Sequence, residues 1–322
     1  SAEIAVGEVL QNIIRYAYGG DGPITLRVSD LDEALGISVI DSARPSDPSE
    51  WGSNKDASSG GFGLSIIKNA VDAVAFRPLD EGNKVSVYLF PSHRQLDPRS
   101  LLWIGELIDA RLFKDSFERW AFWTTPNPDP WFSELLKRSI DLVEQHEKRA
   151  VHTPEYHNLD HFRDVLVTVA HQIQNEALPL LSRPEKYALI LSAILHDYAH
   201  PGGVAAYPGE FEEKTLTMIS EASLAIGLDK AAADVLRQVF ALIESTSPTS
   251  CLADSTRLEL LFNEADIAPS LIPWFGLQQA KALQDELGDK SHPLDFYNSF
   301  RSSQRVGSVA TTPWLRLHHS VV

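Results

Sequence analysis

The sequence predicts two domains of different class, a partial α/β sandwich over residues 1–92 and an all-α domain over residues 101–322. Helix-like and strand-like patterns alternate in the first segment, whereas helical periodicity runs through most of the second. Between them, residues 93–100 contain proline and lack apolar periodicity, which is typical of a linker. A length of 322 residues agrees with two domains of about 100–200 residues each.

The first domain is predicted to mix helices with strands. Apolar residues recur at helical spacing from residue 4 to residue 18, and Gly19-Gly20 is a typical helix stop. The other predicted elements are strands at 24–28, 36–40 and 84–90, a polar loop over 42–61 and a helix over 64–74.

The second domain is predicted to be helical almost throughout. Its apolar residues repeat with the spacing of amphipathic or buried helices, and no internal repeat interrupts them. The predicted helices cover residues 101–112, 130–147, 159–178, 184–199, 210–225, 230–243, 256–265 and 277–287.

Composition and charge exclude several classes of protein. Lys and Arg total 28 against 44 Asp and Glu, and a surface with a net charge of −16 repels nucleic acid polymers and anionic membranes. The single cysteine, Cys251, rules out an internal disulfide framework and a cysteine-rich zinc site. No apolar run reaches membrane-spanning length and no signal peptide is visible, so we expect a cytoplasmic location and no membrane partner.

The strongest chemical pattern is a set of histidines in the second domain. His157 and His161 are four residues apart, as are His196 and His200, and Pro201 ends the second of these predicted helices. Residues four apart share one face of a helix, so each pair is predicted to point into one site. A lone histidine in a helix is more often a structural residue than a metal ligand. Two pairs with this spacing are much less easily explained by chance.

Two carboxylates complete the predicted metal site. Asp197 follows His196 directly, and Asp266 ends an apolar helix. A mixed nitrogen and oxygen set made of His161, His196, Asp197 and Asp266 suits Zn²⁺, Mn²⁺ or Fe²⁺. Asp197 has a second oxygen, so it is predicted to bridge to a second, harder ion such as Mg²⁺ or Mn²⁺.

These residues resemble the HD superfamily of metal-dependent phosphohydrolases. The longer strings, Tyr-His-Asn-x-x-His-x-x-Asp-Val over 156–165 and His-Asp-x-x-His-Pro-Gly over 196–202, resemble the catalytic domain of class I 3′,5′-cyclic nucleotide phosphodiesterases. The resemblance extends over about residues 130–315. It implies hydrolysis of a 3′,5′-cyclic nucleotide to the 5′-monophosphate by a metal-bridging hydroxide, in a signalling protein.

The resemblance also implies individual roles. His157 would be the general acid that protonates the leaving 3′ oxygen, and His200 would lie near the second metal ion and its waters. Gln304 would bind the base, although its string lacks the family's clamping Phe, and a surface polar residue is the alternative interpretation. The segment after His200 also lacks the family's Glu-Asn-His-His string. An HD phosphohydrolase acting on another nucleotide or phosphoester therefore remains an alternative.

The first domain resembles the GHKL ATPases, in their anti-sigma-factor serine kinase branch. Glu8 and Asn12 are similar to the family's Glu-x-x-x-Asn box, Asp41 opens a box similar to Asp-x-Gly-x-Pro, and Gly61 and Gly63 lie in a second glycine box. The resemblance implies Mg-ATP bound through Asn12 and Asp41, with phosphate near the two glycines. A solvated helical face is the alternative for Glu8 and Asn12.

Three further expectations follow from this resemblance. Ala43 stands where the family has Gly, and its methyl group is predicted to crowd the adenine pocket. The fold's usual first strands and helix are missing and the only methionine is Met218, so we expect an N-terminally truncated fragment. A third alternative for the whole chain is a non-enzymatic switch that binds a regulatory protein partner through its first domain, as anti-sigma factors do.

Overall fold

A computed structural model shows how these patterns fold, and the chain divides into two compact units, residues 1–109 and 110–322. The predicted site residues Gly61, Gly63 and Gln304 lie outside the residues that the structure describes. The described residues are 2–30, 35–44, 66–67, 70–71, 73–79, 82–89, 98–150, 152–174, 181–247, 250 and 255–303.

The first unit is an antiparallel sheet with helices. The order of its strands is β1-β2-β4-β3, and β2 and β4 form the centre. Its first helix becomes a π-helix before the αL residue Gly19, which ends it as predicted. The elements are α1 (Ala2–Asn12), the π-helix (Ile13–Tyr18), β1 (Ile24–Asp30), β2 (Leu35–Asp41), β3 (Ala73–Pro78) and β4 (Asn83–Leu89).

One face of the sheet forms the apolar core of this unit. Val39 and Val85 are register partners on β2 and β4, so their side chains lie on the same face. Both belong to a buried cluster with Val9 of α1. Val74 and Phe76 of β3 join it, which explains why residues 73–74, predicted as the end of a helix, are strand. A short apolar run fits both structures, and packing under α1 decides between them.

The other face of the sheet contacts the helix α2 (Pro98–Phe113). Lys84 Nζ lies 2.9 Å from Asp109 Oδ1, and both side chains are buried. Ser86 donates to the same oxygen at 3.3 Å. Residues 98–100, part of the predicted linker, are the first turn of α2, and the division between the units falls inside this helix.

Removing one partner of this buried ion pair should cost much more than replacing both. We expect Asp109→Ala to lower the free energy of unfolding by about 3–5 kcal/mol, because Lys84 would lose the carboxylate 2.9 Å away. The double variant Lys84→Met/Asp109→Leu is expected to recover most of that loss. Denaturant titration of the three proteins measures both values, and a single variant as stable as the double variant would contradict the pairing.

The second unit is a bundle of helices, as predicted. Its buried centre is formed by α5 and α6, whose residues from 161 to 170 and from 187 to 195 are all buried. The short helices α3 and α11 escaped prediction. No helix in the described segments is long and apolar enough to cross a membrane. The elements after α2 are α3 (Phe117–Thr124), α4 (Pro130–Arg149), α5 (Leu159–Ile173), α6 (Arg183–Leu195), α7 (Glu210–Ala222), α8 (Lys230–Thr246), α9 (Arg257–Ile267), a 3₁₀ turn (Ala268–Leu271), α10 (Pro273–Leu287) and α11 (Pro293–Ser303).

Side-chain caps fix where the helices around the site begin. The Asn158 side chain accepts from two backbone N–H groups in the first turn of α5. Ser182 with Glu185 caps α6, and Thr256 with Glu259 caps α9, each in a reciprocal capping box. These caps set the positions along each helix at which the site residues fall.

Candidate metal centre

The predicted ligands converge from three helices of the second unit. His161 lies in the first turn of α5, His196 and Asp197 follow the end of α6, and Asp266 lies in the last turn of α9. His161 Nε2 is 3.1 Å from His196 Nε2, which is 3.1 Å from Asp197 Oδ2. Asp266 Oδ1 is 3.3 Å from the first of these nitrogens and 3.4 Å from the second.

These separations match the spacing of ligands around one ion. Bonds of about 2.1 Å place neighbouring ligand atoms about 3.0–3.4 Å apart in octahedral or tetrahedral geometry. The Nε2 atoms of His161 and His196 and Oδ2 of Asp197 approach one another at 3.1–3.5 Å, and Asp266 Oδ1 lies 3.3–3.4 Å from the two nitrogens. Two imidazoles with two carboxylates are a donor set that Zn²⁺, Mn²⁺ and Fe²⁺ accept, so the residues fit a divalent ion.

The pKa values of the histidines and of the carboxyl groups in the ligand set shift in opposite directions. Burial opposes protonation of His196, but Asp197 and Asp266 outweigh it and raise the pKa of this imidazole to about 10. The pKa of His161 is also raised against burial by hydrogen bonds to the same two carboxylates. Burial opposes ionisation of Asp197 and Asp266, yet the two histidines lower the pKa of each carboxyl. The four side chains therefore stabilise one another's charged forms.

His157 reaches the site in a different way from the one predicted. It precedes α5, which begins at Leu159, so the prediction that it shares a helical face with His161 is wrong. The cap residue Asn158 adopts an extended conformation, which ends helical spacing at that point. The Nε2 atom of His157 lies 3.9 Å from Asp197 Oδ2, at the edge of the ligand cluster.

Glu286 holds His157 in place, and the sequence patterns did not identify it. Its Oε1 atom lies 2.6 Å from His157 Nδ1, and its Oε2 atom accepts from the backbone N–H groups of Tyr156 at 3.0 Å and His157 at 3.2 Å. This carboxylate comes from α10, 129 residues further along the chain. No local motif surrounds it, so only the packing of α10 could reveal it.

His200 also differs from the prediction. Because α6 ends at Leu195 and a turn follows, His200 does not share a helical face with His196. Its ring stacks on that of His157 with centroids 3.5 Å apart, and its Nδ1 accepts from Gly202 N at 3.2 Å. Burial and the neighbouring His157 lower the pKa of His200 to about 4, so this ring is neutral near pH 7.

His157, His200 and Glu286 form a second cluster of potential ligand atoms. We interpret it as a hydrogen-bonded group rather than a metal site. The 2.6 Å between His157 Nδ1 and Glu286 Oε1 is a hydrogen-bond length and shorter than the spacing of ligands around an ion. Stacked imidazoles also direct their nitrogens side by side rather than toward one point.

Glu212 is a further carboxylate near the centre that the sequence patterns missed. It lies on α7, and burial together with the charges of Asp197 and Asp266 raises its pKa. Its side chain lines a cavity of about 840 Å³ whose other lining residues are mostly hydroxyl and carboxylate side chains. The neighbouring Phe211 contacts the ring of His200 with centroids 4.1 Å apart. The α7 segment thus completes one side of the site.

In the first unit, Asp41 lies at the end of β2, and Glu8 and Asn12 lie on α1. Asp41 is buried, and its Oδ1 accepts from Ala43 N at 2.9 Å and from Asn83 Nδ2 at 3.1 Å. Glu8 and Asn12 lie four residues apart on α1 and are half-buried, as expected for one helical face. Ala43 is buried, so its methyl group lies against neighbouring atoms rather than in solvent.

Comparison with known proteins separates the two regions. A family model of 3′5′-cyclic nucleotide phosphodiesterases matches residues 156–224. This phosphodiesterase-like region contains His157, His161, His196 and Asp197 and ends before Asp266.

A second family model, the histidine kinase-like ATPase domain, matches residues 1–89. The predicted order, an ATPase-like region followed by a phosphodiesterase-like region, is confirmed. The family matches agree with a phosphodiesterase-like signalling protein. No curated protein and no solved structure matches the chain.

Proposed function

We propose that the second unit is a metal-dependent phosphodiesterase that hydrolyses a 3′,5′-cyclic nucleotide to the 5′-monophosphate. One observation carries the proposal: an oxygen of Asp197 and an oxygen of Asp266 each lie within 3.1–3.5 Å of the same two imidazole nitrogens, with a histidine at their edge that a carboxylate holds in place. Phosphodiester hydrolysis needs a nucleophile from water, positive charge at phosphorus and a proton for the leaving oxygen.

Each group has a defined task in this proposal. His161, His196, Asp197 and Asp266 would hold the tighter ion, and Asp197 would bridge to a second ion, with Glu212 nearby. When bound, such ions would ionise a water near neutral pH and neutralise phosphate charge. They would supply the positive charge that an acidic chain otherwise lacks. Glu286 occupies Nδ1 of His157, so Nε2 is the nitrogen left to deliver a proton to the 3′ oxygen.

Hydrolysis by the purified protein tests the proposal directly. Cyclic AMP and cyclic GMP are incubated with the protein loaded with Mn²⁺ or Mg²⁺, and formation of the 5′-monophosphate is followed. The expected product appears in the wild type and in His152→Asn, an exposed histidine in the segment before His157. No product at any metal loading would reject the enzymatic proposal and favour the partner-binding switch.

A second candidate is hydrolysis of another phosphoester by the same centre. The string around Gln304 favours it, because it lacks the Phe with which the family clamps a purine ring. A panel of nucleotides, sugar phosphates and phosphodiesters distinguishes the two. Turnover of cyclic nucleotides far above the rest of the panel would exclude this candidate.

Metal binding at pH 7 is expected to release about one proton per ion, since His196 is protonated in the metal-free site and must be neutral to bind. The raised pKa therefore works against metal binding below about pH 10, and apparent affinity should rise up to about tenfold per pH unit as pH increases. Calorimetry in buffers of different ionisation enthalpy measures the released proton. An enthalpy that does not depend on the buffer would contradict this protonation state.

For the first unit we propose binding of Mg-ATP, supported by the family match and by Glu8, Asn12 and Asp41. Asp41→Asn is expected to weaken ATP affinity by about 10-fold or more, because a carboxylate acceptor for the adenine amino group is lost. Ala43→Gly should strengthen it if the methyl group crowds the base. Titration with a fluorescent ATP analogue measures both changes, and equal affinity in all three proteins would reject the site.

A further inference from the structure

We propose that Arg111 is a positioning residue for the candidate metal centre and acts through Asp164. The inference rests on the proposed function, because it concerns the geometry of the groups named there. Arg111 lies on α2, outside both segments that the family models match, residues 1–89 and 156–224. Asp164 belongs to the first of the two family-like strings and lies three residues after His161 on α5.

The two side chains form a forked, buried ion pair. Arg111 Nε donates to Asp164 Oδ1 at 3.0 Å and to Oδ2 at 2.9 Å, and its Nη2 also donates to Oδ2. The Asp164 side chain is fully buried, whereas that of Arg111 keeps 28% of its surface exposed. A planar guanidinium that contacts both oxygens holds the orientation of a carboxylate as well as its charge.

Asp164 connects the two helices on which the centre depends. On α5 it is one turn from the ligand His161, so both side chains project from the same side of that helix. Its Oδ2 also accepts from Gln279 Nε2 of α10 at 3.1 Å. Gln279 and Glu286 are seven residues, about two turns, apart on α10, and Glu286 holds His157.

The physical consequence is that one carboxylate sets the distance between the ligand helix and the helix that orients His157. Without Arg111, Asp164 would be a buried charge whose described side-chain donor is Gln279 alone, and the cost of that burial would favour movement of α5 or α10. Either movement shifts His161 relative to His157. Residues that orient ligands from outside a metal site typically change metal affinity or activity by about 10–100-fold.

Three variants of the 322-residue chain test the role. Arg111→Lys keeps the charge but loses the fork, Arg111→Met loses both, and Arg111→Met/Asp164→Asn removes the buried charge so that folding is preserved. Arg119→Met is the matched control, because Arg119 is exposed to a similar degree, 24% against 28%, and its ion pair with Asp115 does not involve Asp164. Folding is checked by circular dichroism.

The measurements are Co²⁺ affinity from its absorption bands, without substrate, and kcat and KM with the best nucleotide. We expect Arg111→Lys and the double variant to lose about 10-fold in Co²⁺ affinity and in kcat with little change in KM, and Arg119→Met to stay within about twofold. Wild-type Co²⁺ affinity in Arg111→Lys, an equal loss in Arg119→Met, or no Co²⁺ binding in the wild type would overturn the inference. Weaker Co²⁺ binding in a protein that hydrolyses no nucleotide would support the inference and reject the proposed function.

Discussion

Replacement of Asp197 by alanine is expected to abolish tight binding of a divalent ion and to reduce hydrolysis by at least about 10³-fold. The Asp197 carboxylate contacts Nε2 of His196 at 3.1 Å and Nε2 of His161 at 3.5 Å, so it lies against both histidine ligands. It is also the group proposed to reach a second ion. Its loss therefore removes a ligand of the tighter ion and the bridge to the other one.

Metal content by mass spectrometry and the rate of nucleotide hydrolysis measure this effect. Asp160→Ala is the matched control, because Asp160 lies beside His161 on α5 but is only half-buried and pairs with Arg163. Its removal changes the net charge equally and should leave both measurements near the wild-type values. A full equivalent of metal in Asp197→Ala, with activity retained, would show that the ion is held by other residues.

The second large effect is expected at the His157–Glu286 pair. His157→Asn should lower kcat by about 10²–10⁴-fold while metal content stays unchanged, because a proton donor is lost and no ligand is. Glu286→Gln should lower kcat by about 10²-fold. When His157 is protonated, as proton donation requires, its Nδ1 carries a hydrogen, so the amide NH₂ faces a donor whether it points to Nδ1 or to the two backbone N–H groups.

Three comparisons distinguish proton donation from a structural effect. Asp285→Asn, an exposed neighbour of Glu286, should leave kcat unchanged. A nitrophenyl phosphodiester, whose leaving group needs no proton, should be hydrolysed by His157→Asn almost as fast as by the wild type. The double variant should be no slower than His157→Asn alone, because Glu286 acts through the histidine. Additive losses would mean that the two residues act independently.

Much of the fold was predictable because it follows local periodicity. The buried helices α5 and α6 have strong apolar patterns and begin at capping residues, so their starts were predicted within one residue or better. The strand β3 was not predicted, because the apolar run around Val74 fits either structure and the cluster under α1 decides between them. The short α3 has only eight residues, too few for a clear periodic signal.

The candidate site was also predictable only in part. His161, His196, Asp197 and Asp266 were predicted as one ligand set, since imidazoles and carboxylates at these positions are rarely placed together by accident. The structure places each of the two carboxylates within 3.1–3.5 Å of both histidine nitrogens. The helical faces assigned to His157 and His200 were wrong. A cap at Asn158 and a turn after Leu195 interrupt the helix on which spacing arguments rely.

The sequence alone determined the order of the two domains, the helical character of the second and the donor types of its candidate centre, because composition and local spacing carry these properties. Only the tertiary structure decided that Glu286 orients His157, that Glu212 lies beside the centre and that Arg111 reaches Asp164. The physical reason is distance along the chain. Glu286 is 129 residues from His157 and Arg111 is 53 residues from Asp164, and the packing of helices, which no local pattern encodes, brings each pair together.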